Sequence, residues 1–218
     1  MSDPIQEALA LSRQAQQATS TALAATTSVQ GAVAVPQKLT METMSAGGMS
    51  VDKWFKVTED GIKIGDSALI VGDLLATLEM TEGSGFILKY AIKGGNPAQY
   101  AYTCDNANAA GGGSWDAAQA RIRALAPAAA PYRCVDLPFT LIGEVKDMKN
   151  VVVGKAGDTI GYTTSTTNWA NWQAFYKEVA DAGLMGQTVT VKLTAQPRVN
   201  KAGNKWGVIQ FELQQQAE

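Results

Sequence analysis

Histidine is absent from this 218-residue chain. Imidazole general bases, Ser-His triads and His-ligated zinc are excluded with it, and so is much of the hydrolase repertoire. Cysteine is nearly absent. Cys104 and Cys134 stand far apart with no CxxC partner, so the pair alone cannot complete a four-ligand zinc site. Charge is scarce as well, at 17% of residues against a typical ~25%. Eighteen basic residues face twenty acidic ones, for a net charge of −2. That balance excludes a strongly basic clamp and a polyanionic mimic, but it leaves room for local basic patches. No run is long and apolar enough to span a bilayer, and no basic region leads into an apolar core at the N-terminus. The expectation is a cytoplasmic, non-enzymatic protein with no cofactor, no metal and no membrane partner, whose two thiols stay free.

Aromatic residues are missing altogether from positions 1–50, which are rich in Ala, Thr, Ser, Gln and Met. Such a segment cannot bury enough surface to offset its ordering entropy. Asp3-Pro4 makes a helix start, and an Ala-rich run follows. The chain therefore divides into a low-complexity arm over 1–50, flexible or helical, and one globular domain over 51–218.

What the domain does contain is a β-rich pattern. Ile62 and Ile64 alternate after the turn signal Thr58-Glu59-Asp60-Gly61, and Leu69-Ile70-Val71 reads as a short buried strand. Leu74 to Met80 fits strand or helix. Phe86 to Ile92 is a strand ending at Gly94-Gly95-Asn96-Pro97, and Tyr100 and Tyr102 alternate beyond it. Val151–Val153 and Thr159–Tyr162 are further short strands. Val189 to Ala195 alternates with Thr and Lys, turns at Asn200–Asn204, and returns from Trp206 to Leu213. Two amphipathic helices interrupt this pattern. One is capped by Ser114 and stopped by Pro127; the other is capped by Asn168 and ended by Gly183, with Trp169, Trp172, Tyr176 and Val179 on its core-facing side. The fold class is α+β: a partly open OB-like β-barrel or an antiparallel sheet, with two inserted helices.

Gly111-Gly112-Gly113-Ser114 leads into a helix N-terminus, where N–H groups can cradle an anion, but it lacks the Lys-Ser/Thr ending of a phosphate loop. Glu59-Asp60 and Glu144/Asp147 read as solvated surface. Cations interleaved with aromatic residues carry more. They are Trp54 with Lys56, Lys89-Tyr90 with Lys93, Tyr100 with Tyr102, and Arg198, Lys201 and Lys205 with Trp206. Rings on strands can stack on unpaired bases at about 1–3 kcal/mol each, while basic loops track phosphates. Residues 188–218 hold four basic and two acidic side chains, a local excess in an acidic chain.

Thr190-Val191-Lys192-Leu193, followed by Asn200-Lys201-Ala202-Gly203-Asn204-Lys205-Trp206-Gly207-Val208-Ile209, resembles the terminal hairpin of phage-encoded single-stranded DNA-binding proteins with OB-like barrels. The strongly acidic tail of many such proteins has no counterpart in Gln214–Glu218. The resemblance implies a β-barrel that binds single-stranded DNA during replication or recombination, as a homo-oligomer in the host cytoplasm. The alternative is a virion or filament component that assembles through the arm.

Overall fold

The structure, a computed structural model, describes residues 51–214. The arm over 1–50 and the tail over 215–218 lie outside the described residues, and with them the reading of the arm. Among the described residues, eleven strands and two helices follow in chain order: β1 (Lys53–Thr58), β2 (Gly61–Ile64), β3 (Leu74–Glu79), β4 (Ile87–Gly94), β5 (Gln99–Thr103), α1 (Trp115–Leu125), β6 (Tyr132–Leu141), β7 (Val145–Lys146), β8 (Val152–Gly154), β9 (Thr159–Thr163), α2 (Trp169–Asp181), β10 (Thr188–Val199) and β11 (Lys205–Gln214). The class is α+β and β-rich, as expected. Leu74–Glu79 resolves as strand, while the run around Ile70 contributes only a bridge to Asp147.

Nine strands form one sheet in the order β11-β10-β3-β6-β9-β1-β2, with β4 branching from β6 and β5 from β4; β7 and β8 pair separately. All pairings in it are antiparallel except β1 with β9. The sheet curls into a half-barrel. Its two ends approach at Gly207 of β11, where a Cβ would stand 2.1 Å from the Thr58 carbonyl oxygen at the end of β1. Only a residue without a side chain admits that crossing.

β6 holds the sheet together and is the strand that sequence patterning does not reveal. Its Pro138 breaks the usual signature, yet the position is permissive. Val135 and Leu141 turn their backbone groups toward β9 and its flanking residues, so the Pro138 nitrogen faces the opposite edge. There β4 pairs only with Tyr132–Asp136 and β3 only with Thr140 and Leu141. The proline fills the notch between them and no ladder bond is lost.

The main core fills the inside of the curl with Phe55, Leu78, Leu137, Phe139, Val191 and their neighbours, all buried. α2 packs on it through Trp172, Phe175 and Val179. Phe175 joins the expected face, while Tyr176 stands 38% exposed. A second, smaller cluster (Ile92, Ala101, Ala109, Trp115, Ala118 and Ile122) lies where α1 covers β4 and β5. Ser114 caps α1 as expected, its Oγ accepting from the Ala117 N–H at 3.2 Å. Among the described residues no helix is long and apolar enough to cross a membrane.

Candidate nucleic-acid interface

Cross-strand partners point to the same side of a sheet, as do residues two apart on one strand. Following the register from β1 outward, Trp54 pairs with Gly161, Gly161 with Pro138 and Thr163 with Asp136. Cys134 then pairs with Lys89, Ala91 with Tyr102, and Lys93 with Tyr100. Six of the eleven residues singled out from the sequence thus share the outer face of the sheet: Trp54, Lys56, Lys89, Lys93, Tyr100 and Tyr102. They form two patches. The levels of Pro138 and Tyr132 along β6 separate them by roughly 20 Å at ~3.4 Å per residue.

The first patch is built on β1. The Trp54 indole lies on Gly161, where a Cβ would stand 2.8 Å from ring carbon Cε3, so the glycine makes room for the ring. The indole is 41% exposed. Lys56 follows on the same face, also exposed.

The second patch is built on β4 and β5. The Tyr100 and Tyr102 rings lie nearly parallel at 3°, with centroids 6.1 Å apart. Lys93 Nζ stands 5.4 Å from the Tyr100 centroid and Lys89 Nζ 4.4 Å from that of Tyr102, within cation–π range. Tyr100 is 43% exposed. Lys89, in contrast, is buried and donates to Asp136 Oδ2 at 2.5 Å, while Thr163 Oγ1 donates to Asp136 Oδ1 at 2.5 Å. Its charge is thereby paired within the protein, beside the Tyr102 ring. Burial raises the Tyr102 hydroxyl pKa above its ordinary range, and pushes Tyr132 up to about 12. Burial also raises both thiols, Cys134 to about 12, so both are protonated at neutral pH. Neither cysteine is in a disulfide.

The remaining residues lie elsewhere. Tyr90 turns to the opposite face, where its hydroxyl accepts from Arg133 Nε at 3.1 Å. Arg198, Lys201 and Lys205 are exposed around the β10–β11 turn, which Asn200 closes by accepting from the Ala202 and Asn204 N–H groups. Trp206 pairs with Arg198 and is half-buried, its Nε1 buried without a hydrogen-bond partner among the described residues. On the sheet path β3 and β6 separate this hairpin from the tyrosines. The Gly207–Thr58 crossing, however, brings it alongside the end of β1 that carries Lys56.

Sequence reasoning missed a groove on the other side of β4. β5 ends at Thr103, which leaves the β4 edge open at Leu88–Lys89. One lobe, of about 290 Å³, is lined by Phe86, Leu88, Trp169, Trp172, Gln173 and Tyr176 with Glu82. A second, of about 210 Å³, shares Glu82, Leu88 and Trp169 and adds Lys89, Tyr90, Cys104 and Arg133. The signal available in the sequence was helical spacing, which puts Trp169 and Tyr176 on the core-facing side of α2 but does not mark where that side meets solvent. No protein-family model, curated protein or solved structure matches the chain.

Proposed function

We propose that this protein binds single-stranded DNA, without catalysis, across the outer face of an OB-like, partly open barrel. The observation that carries the reading is the Tyr100–Tyr102 stack, parallel and half-open to solvent, with a lysine set against each ring. Flat rings on a rigid sheet accept any base, because every base has a π-face. Trp54, seated on Gly161, offers a second platform on the same face. The distance between the patches suits a strand of several nucleotides, within the roughly 4–16 nucleotides of one OB-type site. Lys56, Lys93 and the Arg198–Lys205 hairpin supply the phosphate contacts. In this reading the protein acts in the cytoplasm, as a homo-oligomer serving replication or recombination of phage DNA.

Intrinsic fluorescence titration with an unstructured oligonucleotide at two salt concentrations tests this. Tyr100→Ala is expected to weaken binding by about 1–3 kcal/mol with folding unchanged. Lys93→Ala, and Lys201→Ala with Lys205→Ala, are each expected to flatten the salt dependence by about 0.7 per lost phosphate contact. Absence of binding at low salt, or full affinity in Tyr100→Ala, would overturn the reading.

One observation favours a second reading, a virion or filament subunit. Val71, Met148 and Val151 are 67%, 65% and 55% exposed. Backbone hydrogen bonds from Val71 to Lys146 and from Met148 to Leu69 bring them together around β7 and β8. A patch of this kind suits a subunit contact. Concentration-dependent assembly abolished by Val71→Asp, with no affinity for oligonucleotide, would select it.

A further inference from the structure

We infer that the groove at the open edge of β4 is a nucleotide pocket that takes one base and its phosphate, distinct from the Tyr100–Tyr102 platform, with Lys89 standing between the two. The inference deepens the single-strand reading and rests on it for the source of the nucleotide. Each lobe is at or below the lower bound of roughly 300 Å³ for small-molecule sites, so each suits a fragment rather than a whole drug-sized ligand.

The two lobes differ in chemistry. In the larger, Trp172 and Phe86 form a closed floor, their rings edge-on at 5.3 Å between centroids. Tyr176 stands over that floor, 5.9 Å from Phe86 and 38% exposed, and Trp169 forms the wall shared with the other lobe. Gln173 and Glu82 supply a carboxamide and a carboxylate at the margin. These groups match the donor and acceptor edge of a base, which a purely apolar ring would leave unpaired.

In the smaller lobe the cation beside Lys89 is Arg133, whose exposed guanidinium lies 5.8 Å from the Tyr90 ring centroid. Its Nε is spent on the Tyr90 hydroxyl, which fixes the plane and leaves both terminal nitrogens free for a two-pronged phosphate contact. Among the described residues no carboxylate forms an ion pair with it; Glu82, which lines the same lobe, stands beyond ion-pair distance. Lys89 does not compete for the anion, since Asp136 holds it. An aromatic slot beside one preoriented, unneutralised arginine is complementary to a nucleotide.

The test titrates the full chain with deoxyguanosine 5′-monophosphate, deoxyguanosine and inorganic phosphate, following tryptophan fluorescence and, for phosphate, calorimetry. The nucleotide is expected to bind more tightly than either part. Arg133→Gln is expected to weaken the nucleotide about a hundredfold, the loss of a two-pronged charged contact, and to leave the nucleoside unaffected. Tyr176→Ala is expected to weaken both. Both positions are at least partly exposed, and unchanged thermal melts confirm folding. Failure of the nucleotide to bind, indifference to Arg133→Gln, or equally tight binding of N-acetylphenylalanine would each overturn the pocket. The last result would reassign it to a peptide C-terminus. An oligonucleotide titration of Tyr100→Ala separates the two readings. Strand binding that depends on Tyr100 while the nucleotide does not bind sinks only the pocket. Arg133-dependent nucleotide binding with no Tyr100 effect on the strand sinks only the stacking face.

Discussion

Cys134 shows how a single position can make the outer face pH-sensitive. Its thiol lies opposite Lys89 in the β4–β6 register. Burial raises its pKa to about 12; the Lys89 ammonium opposes that rise, and Asp136 and Cys104 add to it. An unfolded thiol ionises near ~8.5. A group with a raised folded-state pKa stabilises the fold fully below its unfolded pKa and loses that contribution as pH climbs through the folded value. Resistance to urea is therefore expected to fall between about pH 8.5 and pH 12, and less steeply in Cys134→Ala. Parallel curves for the two proteins would remove the thiol as the cause. At neutral pH Cys134 is expected to resist maleimide until urea unfolds the chain.

At the scale of elements, the joint between α2 and β11 covers one free edge of the curled sheet. β11 is the edge of the sheet, and edges carry unpaired backbone groups. Asn168 Oδ1 accepts from the Ile209 N–H at 3.0 Å, and Asn171 Nδ2 donates to the Ile209 carbonyl at 2.6 Å. Two side chains at the start of α2 thus stand in for a strand. Asn168 also donates to the Tyr162 hydroxyl at 2.7 Å, and its side chain does not cap the helix that its position suggested. Asn168→Ala is expected to cost about 1–3 kcal/mol for each buried group left unpaired, read by urea denaturation. A loss under ~0.5 kcal/mol, typical of a surface change, would show that water replaces it.

The same elements mark what could be read beforehand. Both helices and the β10–β11 hairpin were legible, because Trp115, Ala118 and Ile122 recur at helical spacing and Val189 to Leu193 alternates. β6 was not legible. Its residues are buried on both faces over Cys134–Leu137, so there is no alternation, and Pro138 argues against a strand until its empty neighbouring edge is known. The aromatic and basic residues of the proposed interface were visible one by one. Their grouping was hidden with β6, since only its register puts Trp54 and Tyr102 on one face and Tyr90 on the other.

At the scale of the whole molecule, the described residues form two cores on one sheet, unequal in size. The smaller holds six buried residues beneath β4, β5 and α1 and meets the rest of the sheet through β6. Units with few buried contacts open at lower free energy than the global transition. Trp115→Ala is expected to release amide protection in β5 and α1 while β10 and β11 continue to exchange at the global rate. Uniform loss of protection by hydrogen exchange would show that the sheet unfolds as one unit.

Pro138 has a consequence for solubility. A central strand that changes partners partway along one edge leaves a gap, and an unpaired stretch of β-edge invites a foreign strand to add there and seed aggregation. In this gap the Leu137 and Phe139 backbone groups face β9, those of Asp136 and Thr140 meet β4 and β3, and Pro138 has no N–H to offer. An incoming strand finds a lone carbonyl and the side of a ring. The residue that hides β6 from pattern reading is also the one that leaves the notch without a backbone donor.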